Sequence, residues 1–507
     1  MENAPRGPTR GVTRRGLIGG GLALLAGTAA AQGMRPLARP VPASLAPALP
    51  PIRPRARMDL AGLIRGAGLE GRVSVALVDV ESGTMLADHE AGRAMPPASV
   101  AKALTALWAL DAFPPDHTFS TRVLAAGPVE EGVVQGDLIL AGGGDPGLDT
   151  DRLAGLAARL AGAGITGARG FRVWPGPLGE VREIDPGQLP HLAYNPAVSG
   201  LNLNFNRVFF EWAAAGPGRY RTTLDARGEA FRAAVAVARM SVEPRTLPVY
   251  TYRQDGAVDL WTVARGQLGD AGSRWLPVRN PALYAGEAFA SLAEGQGVRL
   301  PTPSLIPALP PGATEVASLA SEPLEALVRE MLLYSTNLTA EVLGREASLA
   351  RGLSAATPAE SARHMTDWLR RTTGARVRMV DHSGLGPSSR VAPAEMALAL
   401  AGRGTMERLR PLLKNIPLTD ADGEALARPP ALVRAKTGTL NFVSTLAGYA
   451  RTLGGDDLAF AIFAADLDAR ERLAGSDDEV PEGSREFLAG ARRLQQLLLH
   501  RWGAGVA

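Results

Sequence analysis

The chain has 507 residues, 46% of them hydrophobic and 21% charged. That is enough length for two or three domains and enough apolar content for a sizeable core, which argues against wholesale disorder. It contains no cysteine, which excludes a disulfide scaffold, a cysteine-ligated zinc, a thiol nucleophile and a lipidated cysteine.

Thr13-Arg14-Arg15-Gly16-Leu17-Ile18 sets two arginines before an apolar stretch that ends in the small residues Ala29-Ala30-Ala31. Residues 1–31 read as a twin-arginine signal peptide, which predicts export to the periplasm. The alternative is an uncleaved anchor, but the stretch is shorter than the roughly 20 residues that span a bilayer. No later segment is long and apolar enough to span, so no integral membrane domain is expected once the signal is removed. That segment carries four arginines and one glutamate. Without it acidic and basic groups balance, and the basic character of the full chain is no argument for nucleic acid. Residues 32–57 are so rich in proline (Pro36, Pro40, Pro42, Pro47, Pro50, Pro51, Pro54) that neither helix nor sheet propagates, and a linker is predicted.

Arg72–Asp79 alternates and is valine-rich, which predicts a strand; Glu81–Thr84 turns, and Met85–His89 returns antiparallel. Pro96-Pro97 stops regular structure, and Ser99–Phe113 follows with helical spacing. Val133–Leu140 reads as a strand ending at Gly142-Gly143-Gly144-Asp145-Pro146, and Asp151–Ala163 as a helix. Short strands fill much of 170–280. Ala282–Glu294 and Pro323–Arg345 read as helices, and Lys414 as a solvated helix residue. Phe442–Arg451 and Leu458–Ala465 flank Gly454-Gly455 as a hairpin, and Ser484–Trp502 closes the chain as an amphipathic helix.

Among the 54 basic residues only Lys102, Lys414 and Lys436 are lysines. Arginine does not lose its proton in a protein, whereas a desolvated lysine does, so a lysine retained in such a chain is a candidate for chemistry. In Ser99-Val100-Ala101-Lys102 the two functional residues share a helix face. A neutral Lys102 can take the proton from the Ser99 hydroxyl and make it a nucleophile. The N–H of Ser99 at the helix start can face a developing oxyanion. In Ser335-Thr336-Asn337 the serine can relay a proton, and Asn337 can bond the substrate backbone or Lys102. In Lys436-Thr437-Gly438-Thr439 a strand is expected. Lys436 and Thr437 can hold a carboxylate, Gly438 can allow close approach of a substrate backbone, and the N–H of Thr439 can be a second oxyanion donor. Taken singly, each motif has an ordinary reading: an N-cap serine with a solvated lysine, a polar kink, an edge-strand lysine. In the order S-x-x-K, S-x-N, K-T-G they form the signature set of penicillin-binding proteins and class A β-lactamases.

Beyond residue 58 the chain resembles the class C low-molecular-mass penicillin-binding proteins, the D-alanyl-D-alanine carboxypeptidase/endopeptidase family. Gly136-Asp137-Leu138, Gly144–Leu148, Ser321–Leu324, Asp381-His382-Ser383-Gly384-Leu385 and Val391-Ala392-Pro393 match further segments of that family. The resemblance implies a mixed α/β fold: a five-stranded antiparallel sheet flanked by helices, interrupted by two smaller inserted domains. It implies a transpeptidase-like domain made of residues 58–120 and 319–507, with residues 121–318 inserted. It further implies a serine DD-peptidase acting on peptidoglycan peptides ending in, or cross-linked through, D-Ala. Ser99 would be the nucleophile, Lys102 the general base, and Ser335, Asn337 and Lys436 aids to proton transfer and positioning. β-Lactams would acylate Ser99, and neither metal nor organic cofactor is called for.

The chain departs from the family pattern at Thr336, at His382 (where glycine is usual), and at Gly187–Tyr194, where a Trp-x-x-Asp stretch is usual. The glycine-rich element before the last motif is replaced near Pro417–Gly423. Two rival readings follow. One is a β-lactamase or esterase on the same serine, for which Glu341, Glu346 and Glu360 are the available deacylation acids. The other is a degenerate peptidoglycan-binding protein. No G-x-S-x-G is present, and His89, His117 and His191 read as ordinary surface or structural residues. Asp145 reads as a turn residue before proline rather than a substrate ligand.

Overall fold

The computed structural model describes residues 59–420, 422–473, 476 and 478–505; the expected signal peptide and linker lie outside the described residues. Arg72–Asp79 (β1) and Met85–His89 (β2) form the expected hairpin. Ala101–Ala112 (α1) follows. After a long intervening segment come Leu324–Tyr334 (α2), Asn337–Leu349 (α3) and Pro393–Leu400 (α4). Lys414–Ile416 (β3), Ala431–Leu440 (β4), Val443–Thr452 (β5), Asp457–Ala465 (β6) and Ser484–Gly503 (α5) complete the chain.

The two ends of the described chain share one sheet of six strands, ordered β3-β4-β5-β6-β1-β2. Every pairing in it is antiparallel. The sheet has one strand more than the five expected. The extra strand, β3, contains Lys414, which is therefore an exposed strand residue and not a helical one. The short helix Thr405–Leu409 gives way to a 3₁₀ turn holding Pro411, so no helix reaches position 414.

Both faces of this sheet are covered, which is why its central strands are almost continuously apolar. Along β6, Ala459, Ala461 and Phe463 join the core beneath α1. Leu458, Phe460 and Ile462 join the core beneath α5. Phe460 is fully buried and meets Trp502 with ring centroids 6.1 Å apart. Side chains of this size contribute roughly 1.5–3 kcal/mol each on burial.

The intervening segment leaves and returns at one place: strand Ser120–Ala126 pairs antiparallel with Thr314–Ala320, Ser120 opposite Ala320. Between them lie a mixed sheet containing the parallel pair Val133–Ala141 and Gly167–Trp174, a four-stranded sheet and a three-stranded sheet. Most of their buried residues, among them Val123, Val173, Phe210, Trp261 and Val298, form one contiguous core.

Pro323–Arg345, read from the sequence as one helix, is two. Ser335 takes a left-handed conformation (φ 63°) that ends α2, and Thr336 is extended before α3 begins. The break turns the S-x-N segment into a junction between helices.

Candidate active site

Pro96-Pro97 prevents α1 from starting earlier, and Ala98, at φ 46°, turns the chain into a single 3₁₀ turn, Ala98–Val100, that carries Ser99. Glycines wedge this turn in place. A β-carbon at Gly438 would lie 2.9 Å from the Ser99 nitrogen and would also collide with Thr445 Oγ1. That hydroxyl donates to the Pro97 carbonyl at 2.8 Å. On the opposite side Gly384, at φ +77°, abuts the Ala98 carbonyl so closely that no β-carbon fits. The protein's own serine turn thus requires glycine at position 438.

Lys102 is fully buried. Its Nζ lies 2.9 Å from Ser99 Oγ, 2.7 Å from Asn337 Oδ1 and 2.8 Å from the Ser383 carbonyl. Burial, reinforced by the Lys436 cation, holds its pKa well below the usual lysine value, against the opposing pull of Asp381 and Glu341. A neutral amine has two N–H groups and one lone pair. Asn337 Oδ1 and the Ser383 carbonyl accept from the two N–H groups, and the lone pair is left to the Ser99 hydroxyl.

Asn337 opens α3, and its Nδ2 donates to the Tyr194 carbonyl at 2.8 Å. The loop ending at Tyr194 therefore borders the site. Ser335, half-buried, is not among the partners of Lys102. Lys436 is buried on β4 and donates to the Thr437 carbonyl at 2.8 Å. Burial, then Lys414, brings its pKa down to about 7. Short β3 pairs only with Val433–Ala435 of β4. The edge from Lys436 to Leu440, beside Ser99, has no strand partner among the described residues.

Three further groups hold the site: the sequence reading named Glu341 only as an available deacylation acid and Asp381 only within a family segment, and it did not single out Thr445. Glu341 lies one turn beyond Asn337 on the same face of α3, and that i, i+4 spacing was the signal available. Its buried carboxylate accepts from the backbone N–H of His382 at 3.1 Å and of Ser383 at 2.8 Å, which aims the Ser383 carbonyl at Lys102. Burial, then the neighbouring Asp381 carboxylate, pushes its pKa up. Asp381 accepts from the N–H groups of Gly384 and Gly386 and shapes the same loop. Thr445 is the third.

His382 fits against α3 because Gly344 makes room for its ring, and any β-carbon there would overlap the imidazole. His382 Nε2 is 2.7 Å from Ser361 Oγ, and burial keeps the ring neutral, its pKa depressed to about 3. Asp145 caps a turn through the Gly147 N–H at 2.8 Å and pairs with Arg152 at 3.0 Å, as its turn reading implies. His191 pairs with Glu479 at 2.8 Å. Among the described residues no group of three or more His, Asp or Glu is placed to hold a metal ion.

The family model of D-Ala-D-Ala carboxypeptidase 3 (S13) matches residues 57–480. A D-alanyl-D-alanine carboxypeptidase of Actinomadura sp. (strain R39) is 29% identical over 444 residues, 80% of each chain. The solved penicillin-binding protein 4 (dacB) of Haemophilus influenzae shares the fold, with a TM-score of 0.71 at 22% identity over 87% of this chain and 99% of that one. The same Haemophilus protein in complex with a β-lactam superposes with a TM-score of 0.66 at 21% identity, over 87% of this chain and 99% of that one. A match over most of the described chain, on a sheet that brings S-x-x-K, S-x-N and K-T-G together, places it in a family of serine hydrolases: the chain belongs to the D-Ala-D-Ala carboxypeptidase 3 (S13) family.

Proposed function

We infer that Ser99 is the nucleophile of a serine DD-carboxypeptidase/endopeptidase and that Lys102 is its general base. The observation that carries this reading is the Lys102 amine, 2.9 Å from Ser99 Oγ with its two other hydrogen bonds spent on Asn337 Oδ1 and the Ser383 carbonyl. Lys102 takes the Ser99 proton as Oγ bonds to the carbonyl carbon of a D-Ala-D-X peptide. The N–H groups of Ser99 and Thr439 receive the oxyanion. On collapse the C–N bond breaks and the leaving amine takes a proton, relayed through Ser335. Water, deprotonated in turn, releases the acyl group and restores Ser99. The unpaired edge of β4 suits an extended peptide that adds to it as a strand. Lys436 and Thr437 then face its carboxylate.

The pairing of Ser120 with Ala320 supports reading residues 121–318 as an insertion into a domain formed by 58–120 and 319–507. The twin-arginine motif at Arg14-Arg15 supports export to the periplasm, where peptidoglycan is met. Among the described residues no helix is long and apolar enough to cross a membrane.

The test is intact-protein mass after incubation with benzylpenicillin, with Ser99→Ala as control. A stable adduct mapped to Ser99 and absent from the variant is expected. Unmodified protein with hydrolysed drug would make it a β-lactamase, and unmodified protein with intact drug a degenerate binding protein.

A further inference from the structure

In the four-stranded sheet of the segment between residues 121 and 318, two arginines are laid on aromatic rings, and only one of them meets a carboxylate. The sheet contains the adjacent strands Arg207–Ala214 and Tyr220–Arg227, with Ala271–Pro277 at one edge. Val208, Phe210 and Leu276 point into the core. Alternation puts Arg207, Phe209 and Glu211 on the other face, with Asp225 and Trp275 opposite Phe209. Arg227 lies over the Phe209 ring, 4.1 Å from its centroid. Its Nε and Nη2 donate to the two oxygens of Asp225 at 3.0 and 2.8 Å, and its Nη1 donates to Glu211 at 3.1 Å. Arg207 has a ring on each side, Phe205 at 5.1 Å and Trp275 at 5.3 Å. Its Nε donates to the Asn204 carbonyl at 3.3 Å, while Nη1 and Nη2 bond to no described residue. Arg207 is half-buried, and burial lowers its pKa with only Tyr284 opposing, so no acid side chain of the chain faces it. A guanidinium held in one orientation with its fork open matches a carboxylate, as the neighbouring Arg227–Asp225 pair shows within the same sheet.

The turn that supplies one of these rings is strained. Asn204, Phe205 and Asn206 all lie in the left-handed region, at φ 51°, 56° and 54°. Asparagine tolerates that region, whereas an aromatic residue there is an outlier. The two asparagines are buried and lock the turn. Asn204 Nδ2 donates to Thr150 Oγ1 at 2.8 Å, and Asn206 Nδ2 donates to the Ala197 carbonyl at 2.8 Å. Phe205, so held, packs on the cluster that contains Leu178, Ile184, Leu338 and Leu385, and Leu440 packs on that same cluster. Leu440 ends the unpaired edge of β4 that begins at Lys436. With the leaving residue at Lys436 and Thr437, the acyl half of an extended substrate runs toward Leu440, and Arg207 lies beyond that end. We propose that Arg207, held between Phe205 and Trp275, is a subsite for a carboxylate carried by the acyl half of the substrate, two or more residues before the D-Ala that Ser99 attacks. The subsite makes the protein favour acyl chains whose acid at that distance is free over those in which it is amidated. This rests on the reading of Ser99 as the acylated serine.

The experiment measures D-Ala release from synthetic peptides ending in D-Ala-D-Ala, with glutamate or glutamine placed one, two or three residues before the attacked D-Ala. The readout is the ratio of kcat/KM for each glutamate peptide over its glutamine twin. The proteins are wild type, Arg207→Ala, Arg207→Lys and Arg221→Ala. Arg221 is exposed on the same face, opposite Ala213. One charge-assisted pair predicts a wild-type ratio of roughly 10 with the acid two or three residues away. Arg207→Ala should bring the ratio to about one, and Arg207→Lys should leave part of it, since a point charge replaces the planar fork. Arg221→Ala should keep the wild-type ratio. A wild-type ratio of about one at every position, a ratio that survives in Arg207→Ala, or one lost equally in Arg221→Ala overturns the assignment. A preference confined to the residue next to the attacked D-Ala also overturns it, by placing the acid in the cleft beside Tyr194. Adduct formation with benzylpenicillin reports whether each variant is folded. If Arg207→Ala forms none, Arg207→Lys decides, and a full wild-type ratio in it sinks the proposal. If wild type releases no D-Ala and forms no penicillin adduct, the failure lies with the serine reading and the subsite falls with it. Wild-type turnover without discrimination leaves the serine reading intact and removes only the subsite.

Discussion

In the proposed mechanism Lys102 and Lys436 work in opposite protonation states. One is needed as a free amine, the other as a cation opposite a carboxylate. Burial depresses both, Lys102 strongly and Lys436 to about 7. Acylation of the free protein by a carboxylate substrate should rise as pH climbs through the depressed Lys102 value and fall as pH passes about 7 and Lys436 loses its proton. Lys436→Arg keeps its charge at all these values, so its profile should lose the descending limb while its rate maximum drops. Second-order acylation rates from pH 5 to 10 decide this. A variant that retains the descending limb would remove Lys436 as its origin. The lysine content of the chain exposed both residues in the sequence, because the background of arginine made them stand out. Glu341 did not stand out among the acids, since nothing local distinguishes a carboxylate that binds two loop amides from one on a surface.

At the scale of elements, the strands that frame the site were legible because their side chains are constrained on both faces. β1 runs from Arg72 to Asp79 as read, and β5 and β6 shift by a residue at most. The break at Ser335 was not legible, since Leu324–Leu349 carries helix-forming residues on both sides and the left-handed turn is fixed by tertiary contacts of Asn337 with Lys102 and Tyr194. Lys414 was misread because a three-residue strand has too few positions to show alternation. The packing of α3 against the 381–386 loop gives a test of its own. Gly344→Ala should destabilise by on the order of 1–3 kcal/mol, because its methyl overlaps the His382 ring. Adding His382→Gly should recover part of that loss, so the double variant melts higher than the two single effects predict when summed. Additive melting temperatures would show that the two residues do not share the space.

On the scale of the whole molecule, the segment between residues 121 and 318 takes part in the site. Arg279, buried within it, donates to the carbonyls of Arg182 at 3.2 Å, Pro190 at 2.9 Å and Asn195 at 2.9 Å. It thereby fixes the loop whose Tyr194 carbonyl holds Asn337. Arg279→Met should leave the six-stranded sheet folded, open residues 182–195 to limited proteolysis, and slow acylation of Ser99 several-fold. Protection of that loop together with unchanged acylation would disprove the connection. Reading residues 121–318 as an insertion rests on the family resemblance. Its contribution to the site passes through backbone carbonyls, which carry no side-chain signature.

The two glycines against the Ser99 turn bear on how such a protein can diversify. Gly438 and Gly384 leave no room for a β-carbon, so neither position is open to drift, and the geometry of the nucleophile is closed to tuning by substitution there. On the proposed function, heritable change in what is cleaved accumulates in the surrounding walls, at Thr437, Thr439 and the loop before Tyr194. A lineage built on this scaffold is thus expected to keep its chemistry rigid while its choice of substrate wanders.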